Sequence, residues 1–150
     1  MAVINNSTFI DNYLSYLLSR AGHTVYREFH AQVHLAGLSS LEWRVLATLS
    51  DGDGLTVGEL AHEVLAEQST LTKLVQRMEH AGWVQRGADE SDARRTLVFE
   101  TTQGRAVVSP LLKAAKKHEA KLLNSFSLAE IAALKKVLRA LIAQGEEATS

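Results

Sequence analysis

The sequence predicts a mainly helical protein interrupted by one small β-hairpin. Three observations predict it. Ser or Thr followed three residues later by Glu occurs at Ser39–Glu42, Thr56–Glu59 and Ser127–Glu130, each time ahead of apolar residues at helical spacing. Such boxes satisfy the open amides of a helix start. Apolar residues three to four apart dominate the rest of the chain. Only Trp83–Arg86 and Thr96–Glu100 break that period, as short runs rich in β-formers around the polar stretch Gly87-Ala88-Asp89-Glu90-Ser91-Asp92, the pattern of a hairpin with a long tip.

Taken in order, Thr8 to Ala36 reads as one long helix, with Ile10, Leu14, Leu17, Leu18, Ala21, Val25 and Phe29 on one face and Gly37 ending it. The helix after Ser39 carries Leu41, Val45, Leu46 and Leu49 and stops in Asp51-Gly52-Asp53-Gly54, a strong turn signal. Thr56 to Leu65 is a short helix. A break at Ala66-Glu67 leads into a helix from Gln68 to His80, closed by Gly82 as a C-terminal cap. After Thr101 the helical period returns through Val108, Leu111, Leu112, Ala115, Leu122 and Leu123, and a last helix shows Ile131, Leu134, Leu138, Leu141 and Ile142. No internal repeat is present.

The 150 residues suit one compact unit. A hydrophobic share of 46% and a charged share of 22% are those of a soluble globular protein, and no apolar run approaches the roughly 18–20 residues of a membrane span. Met1 to Phe9 is polar and does not read as an export signal, so the cytoplasm is the expected address. The absence of cysteine excludes disulfides, thiolate catalysis and cysteine–zinc sites. No Gly-rich phosphate loop, HExxH metal motif or nucleophile triad is present, so an enzyme is not expected.

Two helices joined by a tight turn and followed by a hairpin make a winged helix-turn-helix, whose second helix enters the major groove of DNA while the wing reaches the neighbouring groove or backbone. In that second helix Leu71, Leu74, Val75 and Met78 should pack inward. Gln68, Ser69, Thr70, Thr72, Lys73, Gln76 and Arg77 face the other way; Gln, Ser and Thr can bond base edges or phosphates, and Lys and Arg add phosphate attraction. An ordinary amphipathic surface helix divides the same way. The wing mixes Asp89, Glu90 and Asp92 with Arg94 and Arg95, of which Asp92, Arg94 and Arg95 are the candidate residues for DNA binding. A solvated loop accounts for the acids. A second account has Asp92 hold Arg94 through a carboxylate–guanidinium bond so that it can enter a narrow minor groove. With a net charge of −1, DNA binding requires the positive charge to be concentrated on one face.

Gln68–Arg86 (QSTLTKLVQRMEHAGWVQR), Asp92-Ala93-Arg94 and Thr101-Thr102-Gln103-Gly104, with Leu38–Leu46 ahead of them, together resemble the multiple antibiotic resistance regulator (MarR) family. The resemblance implies a winged helix-turn-helix domain over residues 38–104 and N- and C-terminal dimerisation helices over 1–37 and 105–150, which interleave in a homodimer. It implies recognition helices in successive major grooves of a double-stranded, pseudo-palindromic operator, with Arg94 in the minor groove. It also implies a repressor released by a small, aromatic and anionic effector. Glu100 departs from the family, which usually has an apolar residue before the threonine.

Candidates for effector binding are Tyr16, His23 and Arg27, which fall on one stripe of the first helix with His30 and His34 because separations of four, seven and eleven return to one side. Trp43 and Arg44 join them because their helix leads into the reading domain. A solvated or dimer-contact surface is the simpler account of the stripe, and Trp43 equally reads as a core aromatic. His30 and His34 have i, i+4 metal-ligand spacing but no third ligand, so neither metal nor cofactor is expected. The rival class of function is a winged helix used only for protein contacts. Salt-dependent binding to duplex DNA separates the two, because phosphate contacts release counterions.

Overall fold

A computed structural model describes residues 8–148. Residues 1–7, most of the polar start read above as lacking an export signal, and residues 149–150 lie outside the described residues. The order is α1 (Phe9–Asn12), α2 (Leu14–Leu35), α3 (Ser40–Leu49), α4 (Val57–Glu63), α5 (Gln68–His80), β1 (Val84–Ala88), β2 (Thr96–Glu100), α6 (Thr102–Leu123) and α7 (Leu128–Glu147). The chain forms two units, one running to Leu112 and the other starting at Lys113. Among the described residues no helix is long and apolar enough to cross a membrane.

The capping boxes set the helix starts. Ser39, Thr56 and Ser127 each accept the backbone N–H of the glutamate three residues on, whose carboxylate takes the cap's own N–H. Residues 8–36 depart from the single helix expected: the chain is extended at Tyr13, after a one-turn helix capped by a Thr8–Asp11 box. The Phe9 and Tyr13 rings stack at 5.1 Å across the break. The hairpin also differs. Its first strand runs to Ala88, so Gly87 and Ala88, expected in the loop, pair with Leu97 and Thr96. Gly87 leaves room for the Phe99 ring, which would lie 3.3 Å from a Cβ built there. Leu55 adds a short third strip by bonding Val98 in both directions, at 3.2 and 2.7 Å.

The core of the first unit is built where the periodicity places it. Val45, Leu46 and Leu49 of α3, Leu60 and Ala61 of α4, and Leu71, Leu74, Val75 and Met78 of α5 are buried together with Val84, Val98, Val108 and Leu111. Trp43 is partly buried against this core, its ring 5.4 Å from Phe29. The apolar face of α2 is different: of its residues only Val33 is buried, while Leu14, Leu17, Leu18 and Val25 are exposed. In the second unit α7 buries no residue, and Leu134, Val137, Leu141 and Ile142 are exposed. Glu119 pairs with Lys135 at 3.1 Å across the α6–α7 corner.

The turn of the helix-turn-helix is held by Leu65 in the left-handed region, at φ 56°. Ala66 N–H returns to Ala61 O at 2.9 Å, the bond that ends a helix in a Schellman motif. Glycine is the residue suited to this conformation, and a side chain there costs roughly 1–2 kcal/mol. Leu65 is 84% exposed, so its side chain returns little packing. Leu65→Gly should therefore stabilise the protein by about 0.5–1 kcal/mol, once the larger unfolded-state entropy of glycine is deducted. A urea midpoint at or below that of the unsubstituted protein would show that the leucine makes a contact in the assembled molecule.

Candidate nucleic-acid interface

Burial of Leu71, Leu74, Val75 and Met78 leaves the rest of α5 turned outward. Gln68, Ser69, Thr70, Lys73, Gln76 and Arg77 are exposed. Thr72 is half-buried and donates to Gln68 O at 2.9 Å. The amide of Gln68 leans over α4, where its Oε1 would lie 3.6 Å from a Cβ on Gly58, an ordinary contact. Gly82, with φ 82°, closes the helix and turns the chain into the wing.

The wing tip is organised by its acids. Asp89 accepts the backbone N–H and the hydroxyl of Ser91, at 2.9 and 2.7 Å. Asp92 accepts Arg94 Nε at 3.1 Å and the Arg94 backbone N–H at 3.1 Å. The Arg94 side-chain bond, ahead of the backbone one, holds the Asp92 carboxyl below the ordinary carboxylate value, and the Ser91 hydroxyl does the same for Asp89. Arg94 is 91% exposed even so; it is oriented without being covered. Arg95 is placed otherwise. Its guanidinium bonds Glu59 at the start of α4 and lies 3.4 Å from Asp89. Arg86 is bonded to Glu79 at 3.0 Å. Asp89 and Asp92 are thus matched by arginines and by the chain's own donors, Glu90 between them is exposed, and Lys73, Arg77 and Arg94 are exposed cations on this face.

Glu100 accounts for the departure noted in the sequence. Its side chain is 5% exposed and takes Arg105 Nε at 2.5 Å, while its other oxygen, Oε1, is buried without a hydrogen-bond partner. Burial, outweighing the attraction of Arg105, pushes its carboxyl above the ordinary value. Arg105 also donates to Ser50 O at 2.6 Å, at the end of α3. The base of the wing is therefore joined to α6 by an ion pair, and Arg105 carries the connection on to the end of α3 by a hydrogen bond. Arg105 escaped the sequence reading because its partners lie five and 55 residues away in different elements.

On α2, Tyr16, His23 and Arg27 line one depression of about 320 Å³ with Ser19, Arg20 and Thr24. Arg20, not anticipated, donates to the Tyr16 hydroxyl at 3.2 Å and lies over its ring at 5.7 Å; the i, i+4 spacing of the two was a signal available in the sequence. Trp43 and Arg44 are not among the lining residues. Further along α2 a separate cluster forms. Ser40 bonds both the Tyr26 hydroxyl and His30 Nδ1, the latter at 2.8 Å, and the His30 ring meets His34 edge-on at 4.2 Å. Among the described residues no group of three metal-ligating side chains occurs.

The sequence profile of the MarR family matches residues 36–95. The transcriptional activatory protein BadR of Rhodopseudomonas palustris is 31% identical over 80% of this chain and 71% of its own length. The HTH-type transcriptional regulator TtmR of Methylorubrum extorquens is 30% identical over 65% of this chain, which spans half the length of TtmR. The crystal structure of a MarR family transcriptional regulator from Silicibacter pomeroyi DSS-3 superposes with a TM-score of 0.78 and 40% identity, over 91% of this chain and 97% of the other.

Proposed function

The chain belongs to the MarR family of transcriptional regulators, and we propose that it acts as a homodimeric repressor that reads a pseudo-palindromic operator and is released by a small anionic, aromatic effector. The observation that carries the DNA reading is the pairing of an exposed polar face on α5 with a wing arginine held in position by Asp92. Ser69, Thr70, Gln76 and Gln68 would read base edges in the major groove, Lys73 and Arg77 would bind phosphate, and Arg94 would enter the minor groove. The homodimer is supported by the exposed apolar faces of α2 and α7. Effector binding is supported by the α2 depression, where two guanidiniums, a histidine and a tyrosine hydroxyl could meet a carboxylate; Trp43 and Arg44 would then serve other roles.

The test begins with duplex DNA selected by the protein from a random-sequence pool. Affinity for it should fall steeply between about 50 and 200 mM salt, as phosphate-bound counterions are released. A flat salt profile, or no selected duplex, would favour a winged helix that docks only on protein. Benzoate-like and heteroaromatic acids should release the DNA, and joint replacement of His23 and Arg27 should remove that response with ligand-free binding intact. Activation is the second reading, favoured by the name of BadR; a reporter carrying the selected duplex upstream or across its promoter decides the direction.

A further inference from the structure

We infer that Arg95, which sequence reasoning placed on the DNA, is instead a positioning residue: a clamp that fixes the angle of the wing against the helix-turn-helix. The inference rests on the DNA-binding reading above and deepens it. Arg95 sits where β2 begins, and its guanidinium reaches across 36 residues of sequence to Glu59 while also meeting Asp89 at the other side of the hairpin. Its own backbone N–H donates to Asp92 O at 3.0 Å, and its carbonyl accepts Asp89 N–H at 3.2 Å. One residue therefore ties both sides of the wing tip to the first turn of α4.

Glu59 is suited to be the fixed end. It is the third residue of α4 and closes the Thr56 capping box, taking Thr56 N–H at 2.9 Å. The Thr56 backbone bond is the largest cause holding its carboxyl below the ordinary value, with Arg95 adding to it. Its charge is thus anchored to a helix end at the front of the helix-turn-helix. The hairpin's own pairing thins at its tip: past Ala88–Thr96 it continues only as the backbone bond from Asp89 N–H to Arg95 O among the described residues, and the segment that carries Arg94 is a loop. Without the clamp, Arg94 keeps its bond to Asp92 but loses a defined direction relative to α5. Both elements must meet the same duplex, so a free wing weakens binding by the ordering it then requires.

This makes an unusual sign prediction. Removing an acid near a DNA-binding face ordinarily tightens binding, because it removes repulsion from phosphate. Here Glu59→Gln should weaken it. Glutamine can still close the capping box, so α4 is retained while the charge that holds Arg95 is lost. Arg95→Ala should weaken binding to a similar degree, and the double variant should be no worse than either single one. We expect losses of about tenfold for each. The slope of affinity against salt should stay that of the unsubstituted protein, since no phosphate contact is removed, whereas loss of a phosphate-binding arginine lowers the slope by about one per copy, about two for the dimer. Arg95→Lys should recover part of the affinity. The measurement is fluorescence anisotropy with the pool-selected duplex, alongside melting temperatures for each variant. Two results would overturn the clamp: Glu59→Gln binding as tightly as the parent or tighter, or Arg95→Ala with a reduced salt slope. Failure of the parent itself to bind duplex DNA in a salt-dependent manner would instead overturn the DNA-binding reading.

Discussion

Gly104→Ala should cost about 2–4 kcal/mol of stability, the sum of overpacking and of backbone hydrogen bonds that must lengthen. The substitution looks harmless locally. Gly104 lies within α6, where alanine is normally better than glycine by about 1 kcal/mol. But a Cβ there would overlap the Trp83 carbonyl oxygen, lie 3.0 Å from the Trp83 carbonyl carbon and press within 3.3 Å of the buried Glu100 side chain. The Trp83 oxygen cannot step aside cheaply. It accepts Thr101 N–H at 3.0 Å, while Thr101 Oγ1 donates to Gly82 O at 2.5 Å and accepts Gly104 N–H at 3.0 Å. These bonds fasten the start of α6 to the turn between α5 and β1, so relief requires the helix to move as a body. Thermal melting should fall by roughly 5–15 °C for a protein of this length. A Tm within 2 °C of the parent would mean that α6 does not approach the turn so closely. DNA affinity should fall as well, because the same turn sets where the wing leaves α5.

The contrast between what was and was not legible in the sequence follows the range of the interactions concerned. The helix starts at Ser40, Val57 and Leu128 were readable because a capping box is a contact between residues three apart. The bounds of α5 were readable because Glu67 and Gly82 are local signals. The break at Tyr13 was not, since no glycine or proline marks it and the extended residue is a tyrosine whose ring packs on Phe9. The Thr8–Asp11 box that starts α1 was a missed signal, being a box closed by aspartate rather than glutamate. Gly87 was assigned to the loop by its residue type; the ring of Phe99, twelve residues on, makes glycine the residue that fits the strand there.

The candidate interface divides along the same line. Asp92 and Arg94 are two apart, and their bond was anticipated from spacing. Arg95 stands next to them and invited the same reading, yet its partner is Glu59, which no local pattern links to it. Glu100 stood out as an acid in an apolar position, but its counter-charge was invisible until α6 was folded back to bring Arg105 to it. The α2 stripe was legible as a stripe. Its separation into a depression around Arg20 and a cluster around Ser40 depends on the approach of α3 to α2, which periodicity does not specify.

The proposed homodimer should be lost, and most DNA affinity with it, when Leu134 and Leu141 are both replaced by Asp. Leu134, Val137 and Leu141 recur at helical spacing along α7 and are 51%, 54% and 37% exposed, and Ile142 beside them is 63% exposed. Burying a side chain of this size is worth roughly 1.5–3 kcal/mol, and a two-fold axis counts each contribution twice. Aspartates at two of these positions remove that gain and set four like charges against one another across the axis. The fold of the single chain should survive, because neither leucine is buried within it; helix content by circular dichroism should be unchanged while sedimentation shows a monomer. Lys136→Asp, on an exposed position of the same helix, changes the charge comparably and should leave the dimer intact. With the dimer gone, each reading domain meets its half-site alone. Linking two binding events multiplies affinity by about 10²–10⁴, so a loss of that order is expected on the pool-selected duplex. The salt slope should fall to about half, since a monomer displaces half as many counterions. A double variant that stays dimeric would place the interface elsewhere. One that becomes monomeric yet binds with full affinity and full slope would show that a single reading domain carries the recognition, and that the second copy serves another purpose.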